Sequence, residues 1–311
     1  MEPIAAVVVI SHIVVPLAFI AWVAFSRAKS RLYWMLLVLF VATFFTIMHF
    51  AGAGWGWVSR YVIFVLWALL VIAIGRFSGR RWPQLAKWPK GVGGWVSTVV
   101  MAAVVVFLMT SIPMLITGRM IEEEAVELSW PVRGGSFLIG HGGANEMLNY
   151  HYPVSAQRYA LDVVQLNSWG MRAGGLWPRE LNSYEIWDSY LISPCTGEVL
   201  SVVDGFEDHT PPDSDPDNPA GNHVVIYCDD VSVVLAHMKE GTVLVEVGDE
   251  VKSGQGLGRV GNSGNTTEPH LHIHAVEGRV TERDKLLVEG RGVPIRFEGR
   301  FLVRNQLITV R

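Results

Sequence analysis

Acid is what the first third of this chain lacks. Residues 1–118 hold one carboxylate, Glu2, against nine Lys/Arg, a net of +8. Charge is missing altogether from Pro3 to Ser26, Leu32 to Ser59, Tyr61 to Gly75 and Gly91 to Gly118. That excludes an ordinary soluble surface. Crossing the hydrocarbon core takes about 20 apolar residues per helix, so four spans are expected. The third is short, and reaches back to Trp57 if Arg60 snorkels its guanidinium to the interface. The start is acidic rather than basic and the first span is long, which argues against a removable signal peptide. Neither a transport motif nor an internal repeat is visible, so the spans read most simply as an anchor.

Positive charge is unevenly placed. Arg27, Lys29 and Arg31 fall between spans one and two, and Arg76, Arg80, Arg81, Lys87 and Lys90 between spans three and four; only Arg60 lies between two and three. The positive-inside rule puts both basic loops in the cytoplasm and both termini outside. Residues 119–311, with 16 Lys/Arg against 28 Asp/Glu, are then a periplasmic or extracellular domain of a multi-pass cell (inner) membrane protein. The lipid bilayer is one expected partner; nucleic acid is not. Trp22, Trp34, Trp55, Trp57 and Trp95 suit interfacial belts. His12 and His49 lie inside spans, as functional candidates or as neutral rings bonded to a neighbouring helix.

Cysteine is scarce: Cys195 and Cys228 are the only two. Both sit in the exported half, where disulfides persist, each in an expected strand. A bridge between neighbouring strands is the favoured reading, two buried thiols the other. Helical periodicity is scarce too. From Arg119 onward short runs of Val, Ile, Leu and Tyr alternate with Gly, Pro, Asn and Asp, which implies a mostly antiparallel β domain. Residues 119–140 read as a linker and 141–311 as the domain. Strands are expected at Tyr159 to Gln165, Gly197 to Val203, Asn222 to Cys228, Val231 to Met238, Thr242 to Val247, Gly256 to Val260 and His270 to Val276, with a further pair in 292–310.

Several motifs are excluded by what is absent around them. GxGxxG at Gly256, Gly258 and Gly261 lacks the following helix of a dinucleotide site. The acids of "DGFEDHTPPDSDPDNPAG" (204–221) lack the 12-residue calcium loop with its closing Glu; the segment reads as a solvated excursion. No Met-Lys-Met follows "VEVGDEVKSGQGLGRVGN", so a lipoyl-type carrier is unsupported. The aromatic stretch 166–190 either walls a groove or packs on itself.

What is present is "GNSGNTTEPHLHIHA" (261–275). In a strand alternate residues face one side, so His270, His272 and His274 align. Imidazole is the commonest zinc ligand, and a catalytic zinc takes three protein ligands with a fourth position open. His237 in "LAHM" and Asp162 in "RYALDVV" are the nearest further candidates.

"LAHM" followed by "VLVEVGDEVKSGQGLGRVGNSGNTTEPHLHIHA" resembles the lysostaphin/LytM-type zinc endopeptidases. The family's hallmarks are an HxxxD motif, a lone His after a strand, and a C-terminal HxH; the resemblance covers about residues 157–276. It implies a small antiparallel sheet with a narrow groove, a zinc cofactor, and a peptidoglycan cross-link or exported peptide as substrate. It also implies Asp162 and His272 as metal ligands, and His237 and His270 as metal-free catalytic histidines. One position departs: Arg158 stands four residues before Asp162, where the family has its first ligand, and a guanidinium has no lone pair to offer. His151 in "LNYHYPVSAQRYALD" is the best substitute; His274 is a further candidate, or a support for His272, and His141 and His223 are weaker. Without a third ligand Arg158 could pair with Asp162, leaving an inactive domain that binds wall material or regulates another hydrolase.

Overall fold

The computed structural model describes residues 3–28 and 30–310. Glu2 and Lys29, both part of the charge pattern above, lie outside the described residues, as do Met1 and Arg311. The chain divides into two compact units, Met1–Leu115 and Ile116–Arg311.

The first unit consists of long apolar helices, Ile4–Phe25, Arg31–Ala51, Val62–Arg80 and Gly91–Thr117. The third is not short: it starts at Val62 and runs forward past Gly75 rather than back to Trp57. Residues 52–61 are non-helical because they are tied inward. The Gly54 N–H donates to His12 Nε2 (3.1 Å) and the Trp55 indole N–H to the Met48 carbonyl (2.7 Å). The His12 and Trp55 rings meet edge-on at 4.8 Å. A Cβ on Gly54 would lie 2.5 Å from the His12 ring, so only glycine fits. Trp34, stacked on Phe77 at 4.6 Å, and Trp55 are buried within the unit. The two basic loops lie together at one end: the Arg31 N–H donates to the Ala86 carbonyl (2.8 Å) and Arg81 Nη1 to the Ser26 carbonyl (2.7 Å).

The second unit is built on nine strands: β1 (Gly135–His141), β2 (Leu161–Leu166), β3 (Gly197–Val203), β4 (Asn222–Cys228), β5 (Val231–Met238), β6 (Glu250–Val251), β7 (Leu271–Glu277), β8 (Gly292–Val293) and β9 (Leu307–Val310). Their order is β9-β1-β2-β7-β5-β4-β3-β6, with β8 on β7, and every pairing is antiparallel. Val163, Val224, Ile226, Val233, Leu235 and Ile273 are fully buried in one core, each contributing about 1.5–3 kcal/mol. A small sheet pairs Val126–Leu128 in parallel with Ile295–Phe297.

Four expectations change. The stretch 119–140 is no simple linker, because it holds Val126–Leu128 and almost all of β1. Thr242 to Val247 forms no strand. Its backbone is diverted by a side chain, since the Asp204 carboxylate accepts the N–H groups of Gly241 (2.8 Å) and Val243 (3.2 Å). For the same reason residues 204–221 are not merely solvated: Asp208 accepts from the N–H of Asn262 (2.6 Å) and of Glu240 (3.0 Å). Cys195 and Cys228 are disulfide-bonded. Cys228 ends β4, but Cys195 lies in the bend before β3 rather than in a strand.

Candidate metal centre

Strand register assembles the site. Asp162 on β2 sits directly opposite His272 on β7, and His272 is in turn opposite Ala236 on β5, so the next residue, His237, closes the group from the far side. On the other flank an irregularity in β1 between Ile139 and His141 brings His141 opposite Asp162. His237 adopts φ +60, a left-handed conformation rarely taken by side-chain-bearing residues outside functional or strained positions.

His151 arrives from outside the sheet. Buried Asn149 folds the preceding loop back, its amide donating to the carbonyls of Gly143, Arg158 and Ala160 (3.0–3.3 Å), while its Oδ1 accepts the His151 N–H (3.1 Å). His151 Nε2 then lies 2.9 Å from Asp162 Oδ2, and His272 Nδ1 lies 2.9 Å from Asp162 Oδ1. One ligand atom from each of His151, Asp162 and His272 falls within 4.8 Å of the others, and all three residues are buried. Arg158 is not part of the group: its guanidinium lies over the Tyr152 ring at 5.0 Å.

Hydrogen bonds to backbone carbonyls set the tautomers. His274 Nε2 is 2.9 Å from the Leu286 carbonyl, which can only accept, so that nitrogen carries the proton. Burial, with His272 beside it, holds His274 well below the usual imidazole range. Being neutral, it offers Nδ1 as an acceptor to His272 Nε2 at 2.9 Å. Burial lowers His272 as well. When His272 is neutral and donates Nε2–H to His274, its Nδ1 is the nitrogen with the lone pair and faces Asp162. Although burial opposes charge on Asp162, the surrounding His151, His270 and His272 hold that carboxyl well below its usual range. In that tautomer Nδ1 lies 2.9 Å from a carboxylate oxygen, and a cation between them would satisfy both.

The two remaining histidines are fixed in the opposite sense. His237 Nδ1 donates to the Ser263 carbonyl (2.9 Å) and His270 Nδ1 to the Glu268 carbonyl (2.9 Å). Their rings lie 4.8 Å apart, each with Nε2 left as a lone pair. His270 Nε2 is 3.7 Å from Asp162 Oδ1. Burial first, then His270 and His272, hold His237 well below the usual range. Beside them a cavity of about 60 Å³, lined in part by Tyr150, His237, Asn265, His272 and His274, has room for one or two waters.

Several contributors carry no sequence signal of their own. Ser263 and Leu286 act through main-chain carbonyls, and Asn149 through a loop contact. Arg172, buried in the aromatic stretch, is ion-paired with Glu268, whose Oε2 accepts from its Nε at 2.6 Å. Its guanidinium also lies over Trp177 and Tyr184, 5.5 Å from each ring. That stretch therefore packs on itself and also braces the loop carrying His270. His223 is bonded to the Gly221 carbonyl (2.8 Å). Arg304, also buried, donates to His141 and to the Gly140 carbonyl (3.0 Å).

Residues 192–284 match Peptidase family M23, a stretch that includes His237, His270 and His272 and begins after His151 and Asp162. Solved structures similar to this chain include a zinc-containing peptidase from Vibrio cholerae, at 27% identity over 36% of this chain and 26% of that one, with a TM-score of 0.24. The antimicrobial peptidase lysostaphin from Staphylococcus simulans is 20% identical over 31% of this chain and 39% of its own, at a TM-score of 0.23. A mutant form of the catalytic domain of the prophage-encoded M23 protein EnpA from Enterococcus faecalis is 25% identical over 31% of this chain and 70% of its own, at a TM-score of 0.22. The chain thus spans about a quarter and two fifths of the first two. The β domain thus carries, over residues 192–284, a match to Peptidase family M23.

Proposed function

We propose that this chain is a membrane-anchored zinc metalloendopeptidase that cuts peptide cross-links of peptidoglycan outside the cytoplasm. The observation that carries the reading is that His272 Nδ1 and His151 Nε2 each lie 2.9 Å from an oxygen of the Asp162 carboxylate. Two imidazoles and a carboxylate with a position left over are a donor set that zinc accepts. When bound there, zinc supplies Lewis acidity to a carbonyl and lowers the pKa of water.

The chain's own groups do the rest. His274 and the Leu286 carbonyl keep His272 in the tautomer that leaves Nδ1 free. His237 and His270 each accept a proton at Nε2 while keeping Nδ1–H on a carbonyl, which suits a general base. A ring so protonated can donate Nε2–H to an oxyanion. The four apolar helices hold the domain at the membrane, with the basic loops on the cytoplasmic side.

The test is hydrolysis of purified peptidoglycan by the full-length protein, followed by the appearance of new amino groups. Activity that disappears in Asp162→Ala and in His270→Ala supports the proposal. Retention of protein on peptidoglycan with no amine release would instead identify an inactive binding module.

A further inference from the structure

The first unit contains a cavity of about 520 Å³ that the proposed peptidase chemistry does not use. This is within the range of about 300–1,000 Å³ usual for ligand sites. It lies where the end of the first long helix meets the starts of the second and fourth, at the end holding the basic loops. Arg27 and Lys90 line it, together with Ser30, Tyr33, Ser97 and Thr98. Among the described residues up to Leu115 there is no Asp or Glu, so none of these residues supplies a carboxylate to neutralise the two cations.

The backbone adds to the same preference. The helix Gly91–Met109 starts at Lys90 with no side-chain cap, leaving its first N–H groups without a side-chain acceptor. Gly93 and Gly94, in that first turn, line the cavity with no side chain to screen it. Helix starts favour anions. Cations, hydroxyls and a helix start thus converge on one space, and its level is set by the basic loops that flank the apolar spans.

We propose that this cavity holds the phosphate headgroup of an anionic membrane phospholipid. The inference rests on the reading that the four helices cross a membrane. Basic pockets between transmembrane helices on the cytoplasmic side are a recognised way of holding such headgroups. Arg27 and Lys90 take the phosphate, the Ser30 and Tyr33 hydroxyls its ester oxygens, and exposed Trp22 the upper acyl chain.

The experiment uses the full-length protein in neutral detergent, mixed with phosphatidylglycerol, phosphatidylcholine or inorganic phosphate, with native mass spectrometry counting retained lipids. Phosphatidylglycerol should be retained about tenfold better than phosphatidylcholine, and inorganic phosphate should not displace it. Arg27→Gln with Lys90→Gln should remove that preference, the charge-keeping pair Arg27→Lys with Lys90→Arg should restore it, and Arg80→Gln with Lys87→Gln, outside the cavity, should leave it intact. Equal retention of both lipids, displacement by phosphate, or an equal loss in the Arg80/Lys87 pair overturns the proposal. An alkaline carbonate wash of membranes separates the two readings: release of the chain would sink membrane insertion itself.

Discussion

His272 and His274 share one proton along β7: Nε2 of the first lies 2.9 Å from Nδ1 of the second, and the Leu286 carbonyl fixes which ring donates. The β7 strand therefore carries a ligand and its orienting partner two residues apart, on the same face.

Replacing His274 by Asn should free His272 to rotate or change tautomer. Zinc affinity should drop about 10–100-fold while the circular dichroism spectrum is kept. His223→Asn serves as the comparison, since His223 is another strand histidine but is bonded away from the centre. Equal affinity in the two variants, measured by competition with a chelating dye, would refute the relay.

Arg172 tests the brace on the His270 loop. Truncation to Ala leaves Glu268 without its partner and should destabilise the domain by about 3–5 kcal/mol, as for other broken buried pairs. Arg172→Met, which keeps the stem, should cost less but still weaken peptidoglycan hydrolysis. An Ala variant with an unchanged denaturation midpoint would show that the pair is not structural.

In metal-free protein His141, His237, His272 and His274 all sit below the ordinary imidazole value, His141 at about 3, first of all because burial removes water. The unfolded chain takes up protons at these rings near pH 6.5 and the folded chain does not. Their stabilisation is therefore complete above about pH 6.5 and is lost as pH falls below it, by up to about 1.4 kcal/mol per pH unit for each ring that stays neutral. Asp162, held low, contributes no slope in this window, because its own contribution fades only below about pH 4. Thermal midpoints of chelator-treated protein should fall steeply between pH 6.5 and 5; a flat profile contradicts the burial argument.

Much of this domain can be read from its residues, for physical reasons that also explain the failures. The bounds of β3, β4 and β5 match hydrophobic runs closed by Gly, Asn or Asp. "GSFLIGH" was hidden by its flanking glycines and by the proximity of the last span, and Thr242 to Val247 has strand character that the Asp204 carboxylate overrides. The alignment of His272 with Asp162 follows from strand alternation once the two strands pair. The approach of His151 depends on Asn149 folding a loop back on itself, and no periodicity encodes such a contact. In the helical unit, charge-free windows located the long apolar helices, but the inward turn at Gly54 depends on His12, 42 residues away.

Cys195 and Cys228 close a segment 33 residues long, for which chain entropy predicts about 3–4 kcal/mol. Cys228→Ser should lower the unfolding free energy by that order, and thiol reductant should do the same to the wild type. A reductant-insensitive midpoint would contradict the bridge.

The most direct measurement is the zinc content of full-length protein by elemental mass spectrometry, after dialysis against trace zinc at about pH 7.5, where imidazoles are deprotonated and free to ligate. About one zinc per chain in the wild type, with little in Asp162→Ala, His151→Ala or His272→Ala, is the expected outcome. A wild type that retains no zinc, or an Asp162→Ala variant that retains as much as the wild type, would contradict the centre formed by these three residues.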